Sequence, residues 1–153
     1  MTKRRRTMLG LSVLVAMSLI SACRGRSSVE QPGTPERLFG TEWTLTSLSG
    51  SGLIEDTEIT LTFEGAYLGG SMTCNRFGGG PDSGKYTATD DGALTIDEIA
   101  VTVQLCSEPE GIMEQEATYI EALRDAATYR LVDGRLEVMD ADGETTLVFE
   151  PQE

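Results

Sequence analysis

The chain has 153 residues, of which twelve are basic and twenty-five acidic, and it contains no histidine. The absence of histidine excludes Ser-His-acid and Cys-His catalysis and every metal site that uses an imidazole ligand. The formal charge of −13 repels phosphate backbones and anionic lipid head groups, so we expect neither a nucleic acid partner nor electrostatic binding to a membrane surface.

The N-terminus has the pattern of an export signal. Residues 3–6 are Lys-Arg-Arg-Arg, and the apolar run over 8–20 is shorter than the roughly 20 residues that span a bilayer. The run ends in Ile-Ser-Ala-Cys at 20–23, which resembles the lipobox of bacterial lipoproteins, where the cysteine is acylated and becomes the new N-terminus. We therefore expect residues 1–22 to be a lipoprotein signal peptide and Cys23 to be lipidated. An ordinary secretory signal cut near Ala22 is the alternative.

Residues 23–37 are polar and contain Pro32, Gly33 and Pro35, a composition typical of a flexible tether. One folded domain of roughly 115 residues is then expected over 38–150, a common size for a single domain. Removal of the signal takes four basic and no acidic residues, which leaves eight basic and twenty-five acidic ones and a charge of −17. We expect an extracytoplasmic protein that is attached to a membrane through its lipid alone.

Seven or eight short strands are predicted from alternating apolar residues and from turn sequences rich in glycine and aspartate. They form an N-terminal strand, two hairpins and a final three-strand meander, and a further extended segment follows the second hairpin. The segments are Leu38–Ser49, Ile59–Phe63, Ala66–Gly70, Lys85–Thr89, Ala93–Ile96, Ile99–Cys106 and three strands between Tyr129 and Phe149.

One amphipathic helix of about four turns is predicted from Met113 onward. The apolar positions at helical spacing are Ala117, Ile120, Leu123 and Ala127, and the acidic residues Glu114, Glu116, Glu121 and Asp125 lie mostly elsewhere. Ser107 and Glu110 have the spacing of a capping box. A single late helix cannot give an alternating parallel fold, so we expect a mainly β (α+β) fold. It would be a curved antiparallel sheet or partly open β-barrel of seven to eight strands, with the helix closing one end or face.

The order of several short motifs resembles the META domain family, also called HslJ-like. They are Gly40-Thr41-x-Trp43-x-Leu45, Thr62-Phe63, Gly70-x-x-x-Cys74-Asn75-Arg76-Phe77, Thr102-x-x-x-Cys106, Met113-Glu114 and Leu123. This resemblance extends from about Leu38 to Glu150. It implies a small β-rich domain with one helix, often secreted or lipid-anchored in bacteria, linked with heat-shock expression and novobiocin resistance and without established catalytic activity.

If Cys23 is lipidated, Cys74 and Cys106 are left in an oxidising compartment, and an even remainder favours a disulfide. The bridge would close a loop of roughly 32 residues and contribute about 3–4 kcal/mol in the chain-entropy model. Two unpaired buried thiols are the main alternative. A redox-active pair is disfavoured because the spacing differs from Cys-x-x-Cys.

Two other features could hold a ligand. Asn75 and Arg76 could anchor a carboxylate of a ligand or partner, but we favour a turn cap for Asn75 and an acidic partner for Arg76. The sequence over 140–144 is superficially like the start of a calcium loop, but it lacks the remaining ligand spacing and indicates a hairpin turn. We expect no metal, no cofactor and no catalytic residue.

The sequence thus favours a non-enzymatic, lipid-anchored envelope protein that acts by protein contact in envelope maintenance or in stress and drug tolerance. The expected partners are the membrane, through the N-terminal lipid, and an envelope protein. The alternative is a carrier that holds a small apolar ligand in a half-barrel pocket, by fold-level analogy alone.

Overall fold

The structure is a computed structural model that describes residues 37–152. The predicted signal peptide, Cys23 and nearly all of the predicted tether lie outside these residues. The elements in chain order are β1 (Glu42–Leu48), β2 (Thr60–Glu64), β3 (Tyr67–Ser71), β4 (Arg76–Gly78), β5 (Tyr86–Ala88), β6 (Leu94–Ile96), α1 (Ile112–Arg124), β7 (Thr128–Val132), β8 (Arg135–Met139) and β9 (Thr145–Pro151).

Seven of the strands form one antiparallel sheet in the order β4-β3-β2-β1-β9-β8-β7. The sheet is not closed, and the β5–β6 hairpin contacts both of its outer regions. Lys85 forms a bridge with Tyr67 of β3, and Ala93 forms one with Thr128 of β7. The predicted mainly β fold, a curved antiparallel sheet with one helix, is confirmed.

The alternation predicted in the sequence sets the inner face of the sheet. Leu61 and Phe63 of β2 are buried, whereas Thr60 and Thr62, which alternate with them, are not. β3 comes so close to β2 at Gly70 that an added Cβ would lie 2.0 Å from the backbone oxygen of Thr60. Only glycine allows this approach, and this local sequence therefore determines how tightly the two strands pack.

Two predicted boundaries differ from the structure. The three-residue strand β4 was not predicted, because glycines and a cysteine surround it and leave no alternating pattern. The segment predicted as extended over 99–106 runs beside β4 but forms only one bridge with it, between Phe77 and Val101. Both departures concern the edge of the sheet that carries the cysteine motif described below.

The helix packs on the inner face of the sheet and fills it. The Tyr119 ring meets Phe77 of β4 and Phe149 of β9 edge to face, with centroids 5.4 and 6.4 Å apart. These rings belong to one continuous core that also takes leucines from β1, β2, β8 and β9. The inside of the sheet is therefore occupied by side chains of the protein itself.

Ile120 and Leu123 of the helix are buried as predicted, but the rest of its buried face and both of its ends differ from the prediction. Ala117 is exposed, and the buried residues are Ile112, Gln115, Glu116, Tyr119, Ile120, Ala122 and Leu123. The predicted capping box does not form, because the residue before the helix is Gly111 in a left-handed conformation (φ 86°) without a side-chain cap. The helix ends at Arg124, since the backbone N–H of Ala127 already donates to Met139 of β8.

Candidate functional site

A disulfide joins Cys74, just before β4, to Cys106, and the predicted bridge is thus confirmed. It fixes the end of the segment that runs beside β4, residues 101–106, which we call the outer segment. Closing the 32-residue separation restricts the unfolded chain and contributes about 3–4 kcal/mol to stability. The outer segment is therefore held at its far end by a covalent bond.

Asn75, a residue that is 3% exposed, binds the same segment through its side-chain amide. Its Oδ1 accepts hydrogen bonds from the Thr102 hydroxyl (2.9 Å) and the Gln104 backbone N–H (2.8 Å). Its Nδ2 donates to the Gln104 carbonyl (3.2 Å) and to the Glu116 carboxylate (2.8 Å). The prediction that Asn75 caps a turn is wrong, because every one of these partners lies at least 27 residues away.

Glu116 links the helix to this cluster. Its carboxylate is 3% exposed, and Oε1 accepts from the backbone N–H groups of Cys74 (2.6 Å) and Asn75 (3.2 Å). A buried carboxylate is tolerated where such donors satisfy it. Together, the disulfide, Asn75 and Glu116 form what we call the clamp.

The acid of this helix that reaches the clamp is Glu116, which the family motif does not include. Glu114 is exposed and Met113 is half-buried, whereas Glu116 makes the contacts. A signal was available, because Glu116 lies four residues after Ile112 and three before Tyr119, and such residues share one helical face. Hydrophobic patterning passed over it because an acidic residue is expected on the solvent side.

Arg76 follows the clamp on β4, and its side chain is exposed. Its backbone pairs with Thr102 through two bonds, from the Arg76 N–H to the threonine hydroxyl (3.1 Å) and from the Thr102 N–H to the arginine carbonyl (3.0 Å). The predicted acidic partner is not found within residues 37–152, where Arg130–Glu137 is the one ion pair.

Arg76 also borders an open groove of about 700 Å³ that includes Thr60, Thr62 and Tyr67. The two threonines alternate with buried residues of β2, so the groove lies on the outer face of the sheet. It is separate from the interior, where a half-barrel pocket was expected.

The outer segment exposes two large aliphatic side chains. Val103 is 94% and Leu105 is 92% exposed, while Val101 packs against the core. The backbone groups that bond toward β4 and Asn75 belong to Ala100, Thr102 and Gln104. Those of residues 101, 103 and 105 therefore face the other way, because successive backbone groups of an extended chain alternate in direction.

Tyr119 carries a hydroxyl group that takes no part in the clamp. Its hydroxyl is the one buried side-chain oxygen or nitrogen of the described chain that lacks a hydrogen-bond partner. Burial raises the pKa of this hydroxyl well above its usual value. The group therefore stays neutral inside the core.

Between residues 37 and 152 there is no group of three or more Cys, Asp or Glu side chains that could hold a metal ion. The same range has no helix of the length and apolar character that crossing a membrane requires. What the site does contain is a fixed, exposed edge.

The fold and the clamp define a small β-rich domain with one helix packed inside an open antiparallel sheet. The model of the META domain family matches residues 36–153, and the chain belongs to that family. No curated protein matches it.

Two solved structures have the same fold. One NMR structure is 27% identical, covers 76% of this chain and 93% of its own, and has a TM-score of 0.58. The NMR structure of a protein from Burkholderia xenovorans is 20% identical, covers 88% of this chain and 99% of its own, and has a TM-score of 0.56. The similarity covers nearly the whole of each solved chain.

Proposed function

We propose that this META-domain protein is a lipid-anchored, extracytoplasmic protein that acts by binding another envelope protein through the outer segment, without a catalytic reaction of its own. The observation that carries the proposal is the near-complete exposure of Val103 and Leu105 on a segment that the clamp holds in place. A single exposed aliphatic side chain is normal on a protein surface. Two on one immobilised edge are better explained as a contact.

A contact with the outer segment would gain free energy by burying its aliphatic side chains. Burying one aliphatic side chain of this size contributes about 1.5–3 kcal/mol. Binding to a mobile segment would lose part of that gain, because each residue would have to be ordered first. The disulfide and the Asn75 amide have already fixed the outer segment, so a partner meets it in one conformation.

The place of action is proposed from the sequence. The apolar run that ends at Cys23 supports lipidation, and the acidic composition of the remaining chain supports attachment through lipid alone. A disulfide is also more common in oxidising compartments. A role in envelope maintenance or in stress and drug tolerance follows the resemblance to HslJ-like proteins.

The packed interior favours contact over ligand carriage. Tyr119, Phe77 and Phe149 meet across the space between helix and sheet. A carrier would need that space for its ligand. The open groove on the outer face is lined largely by glycines and hydroxyl side chains, which suits an apolar ligand poorly.

The test combines localisation with site-specific crosslinking in cells. Wild-type protein should fractionate with membranes and Cys23→Ser should be released. A photo-crosslinking residue at Val103 should give one adduct of defined mass, which Leu105→Ser removes. The same residue at Thr118, exposed on the helix, is the matched control and should give none. Equal adducts from both positions, or none from Val103, would refute the contact, and unchanged fractionation of Cys23→Ser would refute the anchor.

A further inference from the structure

We propose that the partner binds by strand addition, and that an extended, basic and apolar segment of it pairs with the free edge of the outer segment. This inference rests on the proposed function and specifies how the contact is made. Strand addition joins main-chain hydrogen bonds, which supply affinity, to contacts of alternate side chains, which supply specificity.

Backbone N–H and C=O groups that face away from β4 form the edge to which a strand could be added. Gly78 donates to the Ala100 carbonyl and Thr102 donates to the Arg76 carbonyl, both at 3.0 Å, on either side of the Phe77–Val101 bridge. This is the pattern of a non-hydrogen-bonded antiparallel pair. The N–H and C=O groups of Val101 consequently face away from β4. Those of Val103 and Leu105 face the same way, because Gln104 between them directs its own N–H and C=O to the Asn75 side chain. No residue between 37 and 152 bonds to these groups.

The length and composition of the edge suit a short strand. Residues 101–105 would span about 13 Å if extended, and they would offer up to about six main-chain bonds to an added strand. Their sequence, Val-Thr-Val-Gln-Leu, is rich in β-branched residues and contains no charge and no proline. Proteins usually protect a free edge with lysine, proline or a bulge. None of these devices is present at 101–105, and a partner strand would cover the edge instead.

Charge favours a basic occupant. Residues 37–152 carry six basic and twenty-two acidic side chains, a net charge of −16. Exposed acidic residues flank the outer segment in the sequence, at Asp97, Glu98, Glu108 and Glu110. Two basic residues adjoin the segment, Arg76 on β4 and Arg124, which donates to the Ile99 carbonyl. A second copy of this chain would bring the same charge and be repelled, and so would an anionic bilayer.

The test uses residues 31–153, which include the whole hydrophobic core of the described chain. The probe is a capped peptide of about seven residues that alternates lysine and valine, the length of a common strand. Two-dimensional NMR should show saturable shifts of the backbone amides of Val101, Val103 and Leu105. A peptide with glutamate in place of lysine, and one N-methylated at alternate residues, should each bind at least about tenfold more weakly.

Variants locate the contact on the protein. Val103→Ser with Leu105→Ser should weaken binding at least about tenfold and leave the spectrum of the core unchanged, because both side chains are exposed. Thr118→Ser, on the exposed side of the helix, should bind like wild type. Shifts that spread over the helix or the outer groove would overturn the proposal.

Further outcomes distinguish strand addition by a partner from binding of a membrane or of a second copy of the chain. Equal binding of the N-methylated peptide would overturn strand addition. Leu105-dependent binding to phosphatidylcholine vesicles would assign the segment to a membrane, and Leu105-dependent dimerisation in sedimentation would assign it to a second copy; both overturn the proposal. If the peptide fails while the adduct from Val103 forms in cells, strand addition is refuted and the protein contact stands. If that adduct is absent, the proposed function itself is refuted.

Discussion

Asn75→Asp tests whether the buried amide is the link between helix and outer segment. The substitution keeps the shape of the side chain but exchanges a donor for an acceptor. In the wild type, Nδ2 donates to the Glu116 carboxylate at 2.8 Å and to the Gln104 carbonyl at 3.2 Å. The variant would instead turn an oxygen toward both acceptors.

The expected loss can be worked from these distances. Two carboxylates at hydrogen-bond distance repel by about 6 kcal/mol at an effective dielectric constant of about 20. Protonating one of them at pH 7 costs about 4 kcal/mol, which is less, so the folded variant takes up a proton. Adding about 1 kcal/mol for the lost bond to Gln104, we expect the free energy of unfolding to fall by about 5 kcal/mol at pH 7.

The pH dependence has a definite sign. Because the folded variant binds one proton that its unfolded chain does not, its stability should fall as the pH rises. From pH 7 to pH 5, its deficit relative to the wild type should shrink by about 1.4 kcal/mol per pH unit. Urea unfolding of residues 31–153 at several pH values measures both quantities.

Exchanging donor and acceptor should rescue the variant. Asn75→Asp combined with Glu116→Gln restores one amide and one carboxylate, so we expect a loss of about 2 kcal/mol instead of about 5. Glu114→Gln, at an exposed position of the same helix, should change stability by less than about 0.5 kcal/mol. Asn75→Asp within about 1 kcal/mol of wild type, or additive effects of the two substitutions, would refute the clamp.

Three further predictions concern the core, the sheet and the bridge. Tyr119→Phe removes a buried hydroxyl without a partner and should raise the free energy of unfolding by about 1 kcal/mol, whereas Tyr129→Phe loses a hydroxyl bond of 2.9 Å and should lower it by about as much. Denaturant melts check both, and a destabilised Tyr119→Phe would contradict the first. Gly70→Ala puts a methyl group 2.0 Å from a backbone oxygen, whereas Gly80→Ala meets nothing within 4 Å; thermal melts should show a loss of about 3 kcal/mol or more for the former and under about 1 for the latter. Reducing the disulfide should cost about 3–4 kcal/mol and speed hydrogen exchange at the Gln104 amide, and an unchanged exchange rate would mean that Asn75 alone holds the outer segment.

Several features of the fold were readable from local sequence. Strand alternation located β1, β2 and the final meander, because the side-chain period of a strand is a property of neighbouring residues. Turn dipeptides placed the hairpins for the same reason. The helix was found, and Ile120 and Leu123 are buried as predicted, but Ala117 is exposed. The burial of Gln115, Glu116 and Tyr119 was not predicted, since Gln115 and Glu116 break the apolar pattern.

Only part of the candidate site could be predicted from the sequence. The cysteine count pointed to the bridge between Cys74 and Cys106, and the motif order indicated the family. The role of Asn75 was predicted incorrectly, because its partners come from segments 27 to 41 residues further along the chain. No local pattern reports such contacts.

By itself, the sequence determined most of the strands, the cysteine pair and the kinship with META domains, because short-range periodicity and composition encode these. Only the tertiary structure decided that a carboxylate would be buried beneath Asn75 and that Val103 and Leu105 would stand in solvent. The physical reason is that a polar group is buried, or an apolar one exposed, according to which distant segments pack beside it. Which distant segments pack side by side is decided by how the sheet and the helix assemble.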